Sequence, residues 1–208
     1  MLVPPKGEFS MLPLNAEARR IANTWDPAKE PAGPDQCKSY GAAAIMRVPG
    51  RLHIHWADDN TLQMDIDSGT QTRLFRFGAS APANQPPQSA APNARTLRVG
   101  LEWQGYSVAT WEPTGRATAK RPAQLKVTTT RMRAGYLRKN GVPYSENAML
   151  QEYFDRFAEP NGDQWLVVDS VLTDPQFLTQ PYLTSVAFKK IPDRSGWDPT
   201  PCRADQAR

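Results

Sequence analysis

Arg51–Phe77 reads RLHIHWADDNTLQMDIDSGTQTRLFRF, and its alternation decides the fold class. Leu52, Ile54 and Trp56 alternate with Arg51, His53 and His55, then Leu62, Met64 and Ile66 alternate with Gln63, Asp65 and Asp67. Successive side chains on a strand point to opposite faces, so a period of two marks a half-buried strand. Asp58-Asp59-Asn60 and Ser68-Gly69 are turn sequences, the second leading into Thr70–Phe77. Asp and Asn bond their own backbone there, and Gly reaches the left-handed region at no steric cost. Short strands joined by tight turns predict an antiparallel meander. Leu52, Ile54 and Trp56 are assigned to the core, which leaves His53 and His55 on a polar outer face.

Working outward, strands are expected at Arg95–Leu101, Gln104–Trp111, Leu125–Met132, Ala148–Phe157, Gln164–Thr173 and Tyr182–Lys189, and the alternation is read as starting at Ala43. Residues 78–94 and 113–123 are read as loops. The first is rich in Ala, Pro, Ser, Asn and Gln, and too little of it is apolar to offset ordering entropy. About nine or ten strands without helices between them exclude a βαβ sheet. The expected fold is all-β, an antiparallel meander closed into a lipocalin-like barrel, because closure removes aggregation-prone edges. A two-sheet sandwich is the alternative.

Residues 1–40 form an N-terminal arm, 41–191 the barrel domain and 192–208 a C-terminal tail. Asn15 caps a short helix over 15–25, stopped at Asp26-Pro27. Ile21 and Trp25 share one helical face and can dock. Cys37 and Cys202 are the two cysteines. They flank the strand region, and a bond between them would staple tail to arm, worth roughly 5 kcal/mol at most in the chain-entropy model. Two unrelated thiols are the other reading. The bond implies an oxidising compartment. A net charge of +4, from 25 basic and 21 acidic residues, is too mild for a dedicated nucleic-acid binder. No apolar run is long enough to span a bilayer as a helix. The 20 prolines favour strands and rigid loops over long helices.

WQGYS at Trp103–Ser107, TTTRMRAGYLRKNGVPYS at Thr128–Ser145, EYFDRF at Glu152–Phe157 and DPQFLTQPY at Asp174–Tyr182 together resemble a family of secreted bacterial proteins without an assigned activity. The resemblance runs from Pro13 to Cys202. It implies export through a cleaved signal peptide, this chain being the mature form, periplasmic or secreted. It carries over no catalytic residue.

Four groups of residues could carry chemistry. Thr128–Ser145 reverses at Asn140-Gly141 and gathers Arg131, Arg133, Arg138 and Lys139 with Tyr136 and Tyr144. Arginine grips a carboxylate bidentately and a phenol offers a ring with a polar tip. With Trp103 and Tyr106 as apolar wall, these would make a barrel mouth for an amphipathic or anionic ligand. The competing reading is a solvated hairpin whose arginines pair with acids such as Glu152 and Asp155. His53 and His55 share one strand side and could hold a metal with Asp65 or Asp67, though the outer-face reading is preferred and no metal or other cofactor is expected. Tyr153, Glu152 and Asp169 could act as acid and base inside a barrel. Alternation sets Glu152 with Leu150 and Phe154 but Tyr153 with Met149 and Phe157, so both face inward only across a bulge. Six tryptophans complete the set. Trp56, Trp103, Trp111 and Trp165 are read as core or end-plug, Trp25 and Trp197 as arm anchors, with a sugar-binding platform as the alternative.

The leading expectation is an exported barrel binding a small molecule through Arg131, Arg133, Tyr136, Arg138 and Tyr144. The alternatives are a cofactor-free lyase or isomerase, a metal-dependent enzyme at His53 and His55, and a structural module of the cell envelope.

Overall fold

The computed structural model describes residues 5–30, 33–80, 100–113 and 123–204. Most of the strand expected at Arg95–Leu101 and most of the loops expected over 78–94 and 113–123 lie outside the described residues, and Gly100 and Leu101, which are described, are not in a strand. The strands are β1 (Leu52–Asp58), β2 (Thr61–Ile66), β3 (Gln71–Phe77), β4 (Tyr106–Glu112), β5 (Gln124–Thr130), β6 (Gly135–Arg138), β7 (Val142–Tyr144), β8 (Met149–Ala158), β9 (Gln164–Thr173) and β10 (Tyr182–Lys189). The all-β expectation holds: one large sheet, ordered β1-β2-β3-β4-β5-β8-β9-β10, curls into a half-barrel beside the two-stranded β6-β7 sheet.

Three local readings are corrected. The β3–β4 pair is parallel where a meander requires antiparallel neighbours. A parallel pair needs a long crossover, and the segment from Gly78 to Gly105 supplies the length. The stretch expected to begin the alternation at Ala43 is instead α2 (Ala42–Ile45), preceded by a 3₁₀ segment over Gly33–Tyr40. All four residues of α2 are buried, and an all-apolar run that short carries no periodicity to distinguish helix from strand. The strand expected to reach Met132 stops at Thr130, where Arg131 takes a left-handed φ of 58° and turns the chain out of the sheet.

Two apolar clusters divide the interior. One fills the curve of the sheet with Tyr40, Ile45, Met64, Ile66, Phe75, Val127, Phe154 and Val168. The other lies beneath the arm, with Leu14, Ala18, Ala22, Met132, Leu137, Tyr144, Leu150 and Leu172. A side chain of the Leu or Met type contributes about 1.5–3 kcal/mol on full burial, so either cluster can support its region.

The arm docks as its sequence dictates. α1 (Ala16–Thr24) begins at Asn15, whose side chain accepts from the Ala18 N–H at 2.9 Å. Asn15 Nδ2 also donates to the Gln176 carbonyl at 2.8 Å, so one residue caps the helix and fastens it to the β9–β10 connection. Trp25 packs against the β6–β7 turn. Gly141 there has a φ of +81°, and any Cβ at this position would collide with the Trp25 ring. Cys37 and Cys202 form the disulfide, with Cα atoms 5.0 Å apart. Among the described residues no helix is long and apolar enough to cross a membrane.

Candidate functional site

β3 and β8 each place one charged residue in an apolar column on the inner face. Arg73 precedes Phe75 and Phe77 at intervals of two, and Glu152 lies between Leu150 and Phe154. The curl brings them together. Arg73 Nη1 donates to Glu152 Oε1 at 2.9 Å and Nη2 to Oε2 at 2.5 Å, with both side chains at 0% exposure. Nη2 also reaches Thr129 Oγ1 at 3.3 Å, and the Thr129 and Ser107 hydroxyls are 2.8 Å apart. The guanidinium lies 5.0 Å above the Phe75 ring. A fork-to-fork pair of this kind occupies both carboxylate oxygens, so Glu152 is an acceptor already engaged.

This corrects the acid–base candidate. Glu152 faces the interior, while Tyr153 and Asp169 are cross-strand partners on the opposite face, and no bulge interrupts the β8–β9 register. Lys126 lies 5.7 Å over the Tyr153 ring. The three residues therefore share no common space.

A second, partly buried cation has no carboxylate within hydrogen-bond reach among the described residues. Arg47 follows α2 in the sequence MRVPG and lies partly buried in a groove of about 560 Å³. The walls are Met46, Val48, Val186 and Phe188, with Thr184 beside the guanidinium. Arg47 Nη2 donates to the Leu137 carbonyl at 2.6 Å and the Ala43 carbonyl at 3.0 Å, and Nη1 to Thr184 Oγ1 at 3.5 Å. These acceptors are all uncharged. The Tyr182 ring lies 5.4 Å from the guanidinium. Burial lowers the Arg47 pKa from its ordinary value; Tyr182 opposes this, Arg138 adds to it and Glu152 opposes it. The groove runs along the edge of β10 that has no strand partner among the described residues.

The basic-aromatic hairpin is turned toward the arm rather than toward an opening. Arg133 Nη2 donates to Asp35 Oδ1 at 2.9 Å and stacks 4.4 Å from Trp103. Tyr136 donates to Glu30 Oε1 at 2.6 Å, and burial together with that carboxylate pushes its pKa up. Lys139 donates to the Tyr40 hydroxyl at 2.7 Å. Asn140 Nδ2 donates to the Pro5 and Glu8 carbonyls at 3.2 and 3.0 Å. Tyr144 is core, 1% exposed, and burial raises its pKa as well. Tyr106 lies on β4 beneath Arg76, 4.5 Å away. Arg131 occupies the bend after β5. The expected acid partners differ too: Glu152 belongs to Arg73, and Asp155 accepts from Gln124 at 2.5 Å. Of the expected mouth residues, Tyr136 lines a concavity of only about 230 Å³ with Trp25, Lys29, Glu30 and Lys38. Arg138 acts electrostatically on Arg47.

β1 also departs from its assignment. Ile54 and Trp56 face the concave side yet remain 37% and 53% exposed. β1 is an edge strand, and the groups that bury the centre of the sheet do not cover its outer end. Trp56, Phe77 and Trp111 form a row with centroid spacings of 5.3 and 5.9 Å, and Trp111 is likewise 55% exposed. These two tryptophans are rim residues, while Trp25 docks the arm and Trp197 meets His53 edge-on at 6.4 Å.

Arg73 and Arg47 were the residues missed by sequence reasoning. The signal for Arg73 was its place in a column with Phe75 and Phe77. For Arg47 it was a lone charge within AAAIMRV. No family model, curated protein or solved structure matches the chain.

Proposed function

We propose that the protein binds a small amphipathic carboxylate in the groove between β10 and Met46–Gly50. The observation that carries this reading is Arg47, a partly buried guanidinium whose hydrogen-bond acceptors are all neutral, at the side of an apolar groove of about 560 Å³. Small-molecule sites typically measure about 300–1,000 Å³ and are apolar with a few polar anchors. A carboxylate would supply the missing opposite charge and offset the repulsion between Arg47 and Arg138. Met46, Val48, Val186 and Phe188 would take the apolar tail. The recognition chemistry is that expected for the hairpin, with the anchor moved from Arg131 to Arg47.

An exported protein goes with this reading. The Cys37–Cys202 disulfide persists in oxidising compartments and is rare where thiols are kept reduced.

The test is titration of a fluorescent polyene fatty acid and of an aromatic carboxylate into the wild-type chain and Arg47→Met. Loss of a charged hydrogen bond should weaken binding by about 1.5–3 kcal/mol, on the order of 10- to 150-fold. Equal affinity in both proteins, or no saturable binding of either probe, removes the proposal. Native mass spectrometry of freshly purified protein searches independently for a retained acid.

A further inference from the structure

On the outer face of the same sheet, at its other edge, two imidazoles and a carboxylate converge. His53 stands opposite Asp65 in the β1–β2 register, and His55 stands opposite Gln63, diagonal to Asp65. Direct and diagonal cross-strand neighbours lie within reach of side chains of this length. Asp65 Oδ2 is 3.9 Å from His53 Nδ1 and 3.8 Å from His55 Nδ1. One donor atom from each of the three residues falls within 4.8 Å of the others. The imidazoles stack with centroids 4.7 Å apart.

The surroundings of Asp65 are specific. Its Oδ1 accepts from Gln63 Nε2 at 2.8 Å and from Thr72 Oγ1 at 2.7 Å. One oxygen is thus anchored by neutral donors from β2 and β3, and the other is presented to both rings. The 3.8–3.9 Å separations exceed hydrogen-bond length. His55 Nδ1 is shielded from solvent and has no hydrogen-bond partner among the described residues. Asp67, the other acidic residue of this segment, is buried and accepts from the Arg51 N–H at 2.8 Å, so it takes no part.

We infer that His53, His55 and Asp65 form a binding site for a divalent transition-metal ion of the Zn²⁺, Ni²⁺ or Cu²⁺ class. Imidazole nitrogen is a borderline donor and selects these ions over Ca²⁺ or Mg²⁺, which take all-oxygen sites. Ligands about 2.0–2.1 Å from a tetrahedral ion lie roughly 3.3 Å apart, so small side-chain rotations close the cluster. Three protein ligands leave at least one coordination position for water or an exogenous ligand. Gln63 and Thr72 are the residues that hold the carboxylate in the orientation a metal needs.

A cross-strand charge pair without any ion is the competing explanation, and the experiment separates the two. ZnCl₂ and NiCl₂ are titrated calorimetrically into the untagged full-length chain, and Cu²⁺ is added for electron paramagnetic resonance. These are the protein's two histidines, so nitrogen hyperfine coupling from two imidazoles identifies the site. One equivalent should bind. Asp65→Asn and His55→Gln should each abolish saturable binding or weaken it more than tenfold, with the far-ultraviolet spectrum and Tm unchanged. Thr72→Val, a mild change at an exposed position, should weaken binding about 10-fold through the carboxylate's support. No saturable uptake of any of the three ions, or uptake by Asp65→Asn and Thr72→Val with the affinity of the unmutated chain, overturns the assignment. Probe binding at the groove should be unaffected by these variants, so this result stands apart from the Arg47 test.

Discussion

Arg73 and Arg47 are both arginines drawn inward by the same half-barrel, and they do different work. Arg73 meets a carboxylate in the middle of the sheet, where neither charge touches water. Arg47 meets two carbonyls and a hydroxyl at the edge of the sheet, beside a groove. The first arrangement is closed. Each charge cancels the other, Nη2 also reaches Thr129, and Nε alone is left without a hydrogen-bond partner among the described residues. The second leaves a positive charge whose direct hydrogen-bond partners are all neutral, with Glu152 acting on it only through space. A buried cation that already has its anion is part of the architecture, whereas one whose hydrogen-bond acceptors are all neutral is where we propose an anion from outside binds.

The comparison breaks most directly at Glu152. Glu152→Leu should lower stability by about 3–5 kcal/mol, because it strands the Arg73 charge in an apolar interior. Urea denaturation at neutral pH measures this. The double variant Arg73→Met/Glu152→Leu should recover most of the loss, since replacing both charges by apolar groups removes the desolvation cost. A cost below about 1 kcal/mol for the single change would mean that Arg73 is not held as described.

The disulfide tests the Arg47 side. Cys37 lies in the 3₁₀ segment that leads into α2 and hence to Arg47. Replacing both cysteines by serine should cost about 2–5 kcal/mol. Probe binding at the groove should weaken with it, while the Arg73–Glu152 pair, built on strands alone, stays intact. Next in size is Arg47→Met, which removes bonds to the Leu137 and Ala43 carbonyls and should cost about 1–2 kcal/mol in the same denaturation assay. Its stability cost should thus fall below that of Glu152→Leu. Equal costs would erase the distinction between a closed and an open site.

The smallest effect belongs to Tyr144, whose hydroxyl is buried and makes no hydrogen bond among the described residues. Tyr144→Phe should be neutral or stabilising by about 1 kcal/mol at pH 7, because it deletes a desolvated group without orphaning a partner. Its pH dependence has a definite sign. Burial raises the pKa of Tyr144, and of Tyr136, above the ordinary tyrosine value. The folded state therefore holds these protons more tightly than the unfolded state. Stability is fully present below about pH 10, the unfolded value, and falls as pH rises beyond it. Tyr144→Phe should blunt that alkaline fall, read as Tm against pH.

Much of the fold was legible one element at a time. The alternation from Leu52 to Phe77 marked three successive strands, Asn15 marked a helix start, and Cys37 with Cys202 marked a staple. These are local signals, set by backbone geometry, capping and the count of thiols. The site was less legible for two reasons. The Thr128–Ser145 hairpin carries its charges in one stretch of chain, but their partners Asp35, Glu30 and Tyr40 come from the arm, far away in sequence. Trp56 looks like core in any window, yet it sits on an edge strand and stays half exposed.

Composition, period and turn chemistry by themselves determined that the chain folds as an all-β protein with a capped helical arm and a disulfide across its ends. Only the curl of the sheet decided which charges meet. Arg73 reaches Glu152 across 79 positions of sequence, and Arg47 comes to lie against β10 without a carboxylate. Alternation says which face a side chain takes. What waits for it on that face depends on strand order, and strand order follows from how distant segments pack together.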